Sequence, residues 1–309
     1  MDADGDEETA VLHLEVRDDS LRRRWKLAMN HLTYWKLAQS PFTHGNTKTF
    51  FYTGGSVDEA MARIGFLIEN QREIGLMVGP TGVGKSSLLR NLKWNLGKTH
   101  RGQSPELVYV SMTGLMHGEL PRRIVASLRL GTGASDQFAS RPLELVWRDI
   151  EDLSVGVSLQ NQRLVFLLDD VDKAHSLVWE DMARLGQLPG GATLVLASQD
   201  QGLRNVDASL LERCELRIDL PLWDLAQTAD YFEWALLKAN ASDDLFDSQA
   251  IIRIQELSNG QPRRMAQLAE LGLVAGAVRR SMSVTGPMID QVASELAEPF
   301  GLAQSNHYV

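Results

Sequence analysis

Gly79-Pro80-Thr81-Gly82-Val83-Gly84-Lys85-Ser86 fits the spacing G-x-x-x-x-G-K-[ST] of a phosphate-binding P-loop without a mismatch. Its flanks supply the context such a loop needs. Ile74-Gly75-Leu76-Met77-Val78 before it reads as a short buried strand, and Ser87-Leu88-Leu89-Arg90-Asn91-Leu92-Lys93 after it carries leucines at helical spacing. Gly79, Gly82 and Gly84 allow a tight turn in which successive backbone N–H groups and the N-terminus of the next helix point at one anion. Lys85 adds a point charge for the outer phosphates, and the Ser86 hydroxyl is placed to bind Mg2+. Pro80, Thr81, Val83 and Ser87 complete the expected nucleotide contacts. The competing reading, a glycine-rich turn that matches by accident, must explain away both flanks.

Composition bounds the rest. A chain of 309 residues has room for a nucleotide-binding domain of ordinary size and one smaller domain. With 44% hydrophobic and 23% charged residues, it has the make-up of a soluble globular protein. The net charge is −9, and Asp2, Asp4, Asp6, Glu7 and Glu8 crowd the N-terminus. That balance argues against a generally basic nucleic-acid binder, although it leaves room for a local basic patch. Cys214 is the single cysteine, so there is neither an intrachain disulfide nor a cysteine-based zinc cluster, which suits a reducing cytoplasm. No stretch reaches the roughly 18 to 20 apolar residues of a membrane span. The acidic N-terminus also lacks the apolar core of a signal peptide, so a cytoplasmic location is expected.

Taken in order, residues 1–10 read as an acidic tail, and Leu12 to Leu37 as helical in part. Arg22-Arg23-Arg24 with Lys26 is suited to a phosphate, a membrane surface or an acidic partner, or is a solvated helix face. The aromatics from Tyr34-Trp35 through Phe42 to Phe50-Phe51-Tyr52 have no clear period. They either cover an adenine ring by stacking or close the edge of the core. Val57 to Gln71 is an amphipathic helix leading into the P-loop strand. Glu106 to Ser111 is a second strand, and Glu119 to Leu130 a helix that Gly131-Thr132-Gly133-Ala134-Ser135 breaks. A further helix runs from about Pro142 to Leu153.

The apolar strand Leu164-Val165-Phe166-Leu167-Leu168 ends in Asp169-Asp170, the form of a Walker B element. In an open α/β sheet that edge is where ligands bind. Asp169 is expected to hold Mg2+ through its water shell, and Asp170 to orient or deprotonate the attacking water. The fourth strand, Thr193 to Ala197, ends in Ser198-Gln199, with Gln199 the first choice and Ser198 the second for reaching the terminal phosphate and the water. Glu215 to Leu220 is a fifth, alternating strand near a sheet edge, closed by Pro221. Beyond it only helical periods appear: Leu225–Ala239, Ser248–Leu257, Pro262 to about Arg280 and Pro287–Leu296. The expected fold is therefore α/β, with a parallel five-stranded P-loop sheet and a small all-helical lid. The expected segments are a tail and helix at 1–33, an α/β nucleotide-binding domain at 34–221, a lid at 222–298 and a tail at 299–309.

The order of P-loop, Walker B, polar strand end and small helical domain resembles the AAA+ ATPases. The details are similar to the general secretion pathway protein A (ExeA-like) family, with TnsC-type transposition regulators as relatives. Three stretches carry this resemblance: Tyr34-Trp35-x-Leu37 with Pro41-Phe42 and Phe51-Tyr52; Leu210-Leu211-Glu212-Arg213-Cys214 with Pro221-Leu222; and Ser258-Asn259-Gly260-Gln261-Pro262-Arg263-Arg264. The resemblance covers roughly residues 34 to 298. The resemblance implies ATP with Mg2+ as cofactor, a homo-oligomer, and a secretion or pilus apparatus as the partner, with a transposition system and DNA as the alternative. It implies that Arg263 reaches the terminal phosphate from the lid, as a sensor 2. It also makes Arg213 a candidate arginine finger for a neighbouring subunit; otherwise Arg213 is a surface arginine paired with Glu212 or Glu215. Two features depart from the family. Asp169-Asp170 stands where Asp-Glu is usual, which points to slow hydrolysis or a nucleotide-gated switch, and the chain stops soon after Leu296, without the membrane span and wall-binding region of longer members.

Overall fold

The computed structural model of the chain describes residues 31–42, 51–95, 105–128 and 141–297. The acidic tail, the Arg22–Arg24 cluster, the break at 131–135 and the tail at 299–309 lie outside these residues. The described elements begin with α1 (His31–Tyr34), α2 (Ser56–Glu69), β1 (Ile74–Val78), α3 (Lys85–Asn95), β2 (Glu106–Ser111), α4 (Glu119–Leu128) and α5 (Leu143–Ser158). They continue with β3 (Leu164–Asp169), α6 (Val178–Leu185), β4 (Ala192–Ser198), α7 (Ala208–Glu212) and β5 (Cys214–Asp219). Four longer helices follow: α8 (Leu225–Lys238), α9 (Ser248–Ser258), α10 (Pro262–Arg279) and α11 (Gly286–Ala297).

The strands form one parallel sheet in the order β2-β3-β4-β1-β5. β1, β3 and β4 are buried along their whole length, as expected of parallel strands covered on both faces, whereas β5 alternates and sits at an edge. After β1 the chain crosses to the far edge for β2, walks back to β4, and then passes over β1 to reach β5. This order places the end of β1 beside the ends of two strands that arrive much later: Val78 aligns with Ser198 of β4 and with Asp219 of β5.

Two elements depart from the sequence periods. α5 runs on to Ser158, because Val157 remains buried and the Ser154 hydroxyl accepts from the Gly190 N–H at 3.1 Å. α6 escapes periodicity altogether, since eight residues give too few repeats, although Val178, Met182 and Leu185 share its buried face.

Each face of the sheet has its own apolar cluster. Leu76, Val78, Phe166, Leu168, Leu194 and Leu196 pack towards α4, α5 and α6 around Trp147 and Ile150. Met77, Val165, Leu167, Val195 and Ala197 pack the other way against Ile64, Leu67, Leu88 and Leu92. This second cluster does not stop at the sheet. It continues through Leu220 and Trp223 into Phe232, Leu236, Phe246, Met265 and Leu273 of the C-terminal helices. Residues 31–42 belong to the same region, although the expected boundary put 34 onwards with the sheet. Tyr34 Oη donates to the Ser281 carbonyl (2.7 Å), Trp35 Nε1 to the Leu273 carbonyl (2.8 Å), and Phe42 is buried against Phe232 and Phe246.

Candidate nucleotide-binding and catalytic site

The P-loop leaves β1 at Val78 and enters α3 at Lys85, so the loop's N–H groups and the first turn of the helix share one side. Gly82 has φ +78°, a left-handed conformation, and a Cβ there would lie 2.9 Å from the Gln261 side chain. Lys85 is buried and donates from Nζ to the carbonyls of Gly79 (2.6 Å) and Pro80 (2.9 Å). Burial pulls its pKa down, while Asp169, Asp170, Asp172 and Asp200 act in the opposite sense.

The two carboxylates at the end of β3 have different surroundings. Asp169 is buried and accepts from Tyr109 Oη at 2.8 Å and from the Asp170 N–H at 3.1 Å. Burial first, and the Asp169 charge second, push the Tyr109 phenol up to about 12, while Arg90 lies over its ring at 5.5 Å. Asp170 has φ +55° and turns into the cavity. Its Oδ1 accepts from Lys173 Nζ at 2.8 Å, and its Oδ2 from Thr113 Oγ1 at 3.3 Å. The side chain expected to handle the water is thus engaged on both oxygens. Among the described residues no group of three or more His, Cys, Asp or Glu is arranged to hold a metal. The donors present, the Ser86 hydroxyl and the Asp169 carboxylate, are hard oxygens of the kind that complete a Mg2+ shell made mostly of water and phosphate.

A cavity of ≈330 Å³ gathers most of the expected site. Its polar half is walled by Thr81, Gly82, Val83, Gly84, Lys85, Ser86 and Ser87, by Asp170 and by Gln199. Gln199 reaches this wall, whereas Ser198 is buried and donates to the Gln199 carbonyl at 3.0 Å. From the other side come Pro262, Arg263 and Ala266 at the start of α10. The Arg263 N–H donates to the Gly82 carbonyl (3.2 Å), and Gln261 Nε2 to the Thr81 carbonyl (2.6 Å). These contacts bind the C-terminal helices directly to the P-loop, at about 0.5–1.5 kcal/mol each. Gly260, at φ +71°, makes the approach possible: a Cβ there would sit 2.2 Å from the Trp223 carbonyl oxygen.

The second half of the cavity is aromatic. Phe51 and Tyr52 line it with Trp223, Tyr231 and Trp234. The Tyr52 ring meets those of Trp223, Tyr231 and Trp234 at centroid distances of 5.4, 5.5 and 5.6 Å. The aromatic lead-in therefore divides. Trp35 and Phe42 belong to the helical core, and of the described lead-in aromatics Phe51 and Tyr52 line the cavity. Sequence reasoning missed Trp223, Tyr231 and Trp234; the i, i+3 spacing of the last two on α8 is the available signal, and it reads equally as core. It also missed Thr113, Tyr109 and Lys173, although Lys173 follows Asp169 by four residues.

Arg213 is not part of this cavity. It caps α7 just ahead of β5, at the opposite end of the sheet, and bonds Glu73 Oε2 (3.2 Å) and the Gly186 carbonyl (3.4 Å). Its acidic partner is thus Glu73 rather than Glu212 or Glu215; Glu215 instead pairs with Arg72 at 3.1 Å.

A P-loop on the second strand from one edge of a 2-3-4-1-5 parallel sheet, Walker B acids two strands away across β4, and a helical unit packed beside both define the AAA+ fold. Comparison with known proteins agrees. The family model described as "AAA domain" matches residues 68–206, and this part of the chain is an AAA domain. The chain is 23% identical over 273 residues to the general secretion pathway protein A of Aeromonas hydrophila, covering 85% of this chain and 48% of that one. It therefore spans about half the length of that relative. Among solved structures, the Aeropyrum pernix ORC2 protein in its ADPNP-ADP complexes has a TM-score of 0.64 at 14% identity, over 84% of this chain and 72% of that one. The Aeropyrum pernix ORC1 protein in complex with DNA has a TM-score of 0.63 at 16% identity, over 84% and 70%. The Thermotoga maritima RuvB Holliday junction branch migration motor has a TM-score of 0.53 at 12% identity, over 83% and 73%. These similarities concern the fold. No helix among the described residues is long and apolar enough to cross a membrane.

Proposed function

We propose that the chain is a Mg-ATP-dependent ATPase whose nucleotide lies between the P-loop and the start of α10. The observation that carries this reading is the charge of the cavity. In a chain of net charge −9, the described residues of the wall present Lys85, Arg90, Lys173 and Arg263, with Asp170 the one carboxylate among them. That is a site for a polyanion, and the aromatic half beside it offers flat faces for a purine. The P-loop N–H groups, Lys85 and Arg263 would hold the phosphates, Asp170 and Gln199 the water, and Ser86 and Asp169 the Mg2+ shell. Bound Mg2+ supplies charge neutralisation of the phosphate oxygens. Arg213 faces away from its own cavity, which suits service to a neighbouring subunit in an oligomer. Assembly of a secretion or pilus apparatus is the favoured biological role, on the distant relative alone. ATP-dependent DNA binding that falls steeply with salt would replace it by a role on DNA, as in transposition regulators.

The test is steady-state ATP hydrolysis against protein concentration for the wild type beside Lys85→Ala, Asp170→Asn and Arg213→Ala. Specific activity that rises with concentration and is lost in all three variants supports a shared, oligomeric ATPase. The engaged carboxylate of Asp170 favours one second reading, a nucleotide-gated switch with little turnover. Wild type that binds ATP but turns over no faster than Asp170→Asn would select it.

A further inference from the structure

Lys173 stands on the cavity wall, at the end of the short turn Val171–Lys173 that follows Asp170, and its ammonium is 2.8 Å from Asp170 Oδ1. Both partners are partly solvent-exposed, with side-chain accessibilities of 42% and 24%, so the pair is not locked by burial. Thr113, from the loop after β2, holds the other oxygen of the same carboxylate. Every other cation on the wall reaches the cavity from the P-loop helix or from α10. Among the described residues Lys173 alone enters from the Walker B side, next to the carboxylate of Asp170. An ammonium on that wall has the Asp170 carboxylate as its present acceptor, and the outermost phosphate of a nucleotide in the same cavity would be a competing one. Charge-assisted hydrogen bonds to either are of similar kind, so a terminal phosphate competes directly with Asp170 for the lysine.

We propose that Lys173 distinguishes a nucleoside triphosphate from a diphosphate by transferring its ammonium from Asp170 to the terminal phosphate, so that the same event frees Asp170 Oδ1 to accept from water. Thr113 keeps Oδ2, so the carboxylate stays oriented as its other oxygen is released. A diphosphate lacks the outermost group and leaves the Lys173–Asp170 pair in place. This inference rests on the nucleotide-site reading above and adds a gate between the two halves of that site. Lys173 is a phosphate-binding and positioning residue in this scheme, with no bond made or broken through it.

The test is calorimetric binding of Mg-AMP-PNP, a non-hydrolysable triphosphate, and of Mg-ADP to the full chain. Lys173→Met is expected to weaken AMP-PNP by about 5- to 20-fold while leaving ADP within about twofold, which also reports that the variant is folded. Lys173→Arg is expected to restore most of the loss. Asp170→Asn removes the competitor, so it should tighten AMP-PNP by about 3- to 10-fold in the wild-type background and by under about twofold when combined with Lys173→Met. If the Asp170→Asn gain is the same in both backgrounds, simple removal of negative charge explains it and the proposal is overturned. Equal weakening of both nucleotides by Lys173→Met overturns it as well. Wild type that binds neither nucleotide, or Lys85→Ala that binds both at full strength, overturns the site reading and the gate together. Binding that needs Lys85 but is indifferent to Lys173 overturns the gate alone.

Discussion

At the C-terminal edge of the sheet, Val78, Asp169 and Ser198 end side by side, and each hands the chain to a loop that faces the cavity. At the N-terminal edge, about 16 Å away by strand length, Glu73, Arg213 and Glu215 pair with one another or with Arg72 and face solvent. Charged side chains mark both edges. What separates them is where their partners are. At the first edge Lys85, Arg90, Lys173 and Arg263 converge on one concave wall, whereas at the second Arg213 and Arg72 pair with Glu73 and Glu215 at the surface. Arg263, expected as a sensor 2, and Arg213, a candidate arginine finger for a neighbouring subunit, fall on opposite sides of this division. Charge identity alone says little about a site; an imbalance gathered around a cavity says much more.

This contrast can be broken by substitution, and the largest expected effect is at Lys85. Lys85→Ala should weaken Mg-ATP binding by at least about 100-fold, because it removes the buried charge nearest the loop; equilibrium binding with a fluorescent nucleotide checks it. Next is Gly260→Val, which drives a side chain against the Trp223 carbonyl at a left-handed φ. It should cost about 2–4 kcal/mol in urea unfolding and reduce nucleotide affinity through the lost Gln261 and Arg263 contacts to the P-loop. Tyr52→Ala should weaken ATP by about 5- to 20-fold while barely changing inorganic triphosphate, since it removes a ring from the base end only. The smallest effect on affinity belongs to the far edge. Arg213→Ala should leave the affinity of dilute protein for ATP within about twofold, and its half-exposed pair with Glu73 should contribute under about 1 kcal/mol to stability. A tenfold loss of ATP affinity in dilute Arg213→Ala would erase the distinction between the edges.

Legibility in the sequence followed range along the chain. The P-loop is one continuous stretch flanked by its strand and helix, and Thr81 to Ser87 line the cavity, while Gly79 and Pro80 turn their carbonyls to Lys85. The Walker B strand was equally plain, because a fully buried parallel strand is an unbroken apolar run. What stayed hidden is what the fold assembles from afar. Thr113 meets Asp170 across 57 residues and Tyr109 meets Asp169 across 60, and neither has a local pattern to announce it. Trp35 and Tyr52 look alike in an aromatic stretch, yet one bonds Leu273 in the helical core and the other faces the cavity. Gln261 reads as filler between Gly260 and Pro262 until its amide is seen on the Thr81 carbonyl.

The attachment of residues 31–42 to the C-terminal helices also has a mechanical meaning. A force applied to the chain ahead of His31 meets the Tyr34–Ser281 and Trp35–Leu273 hydrogen bonds and the wedge of Phe42 before it reaches any strand. The load therefore arrives first at the helices whose leading residues, Gln261 and Arg263, grip the P-loop. Tension at the N-terminus would thus bear on α10, the same helix whose start meets the P-loop.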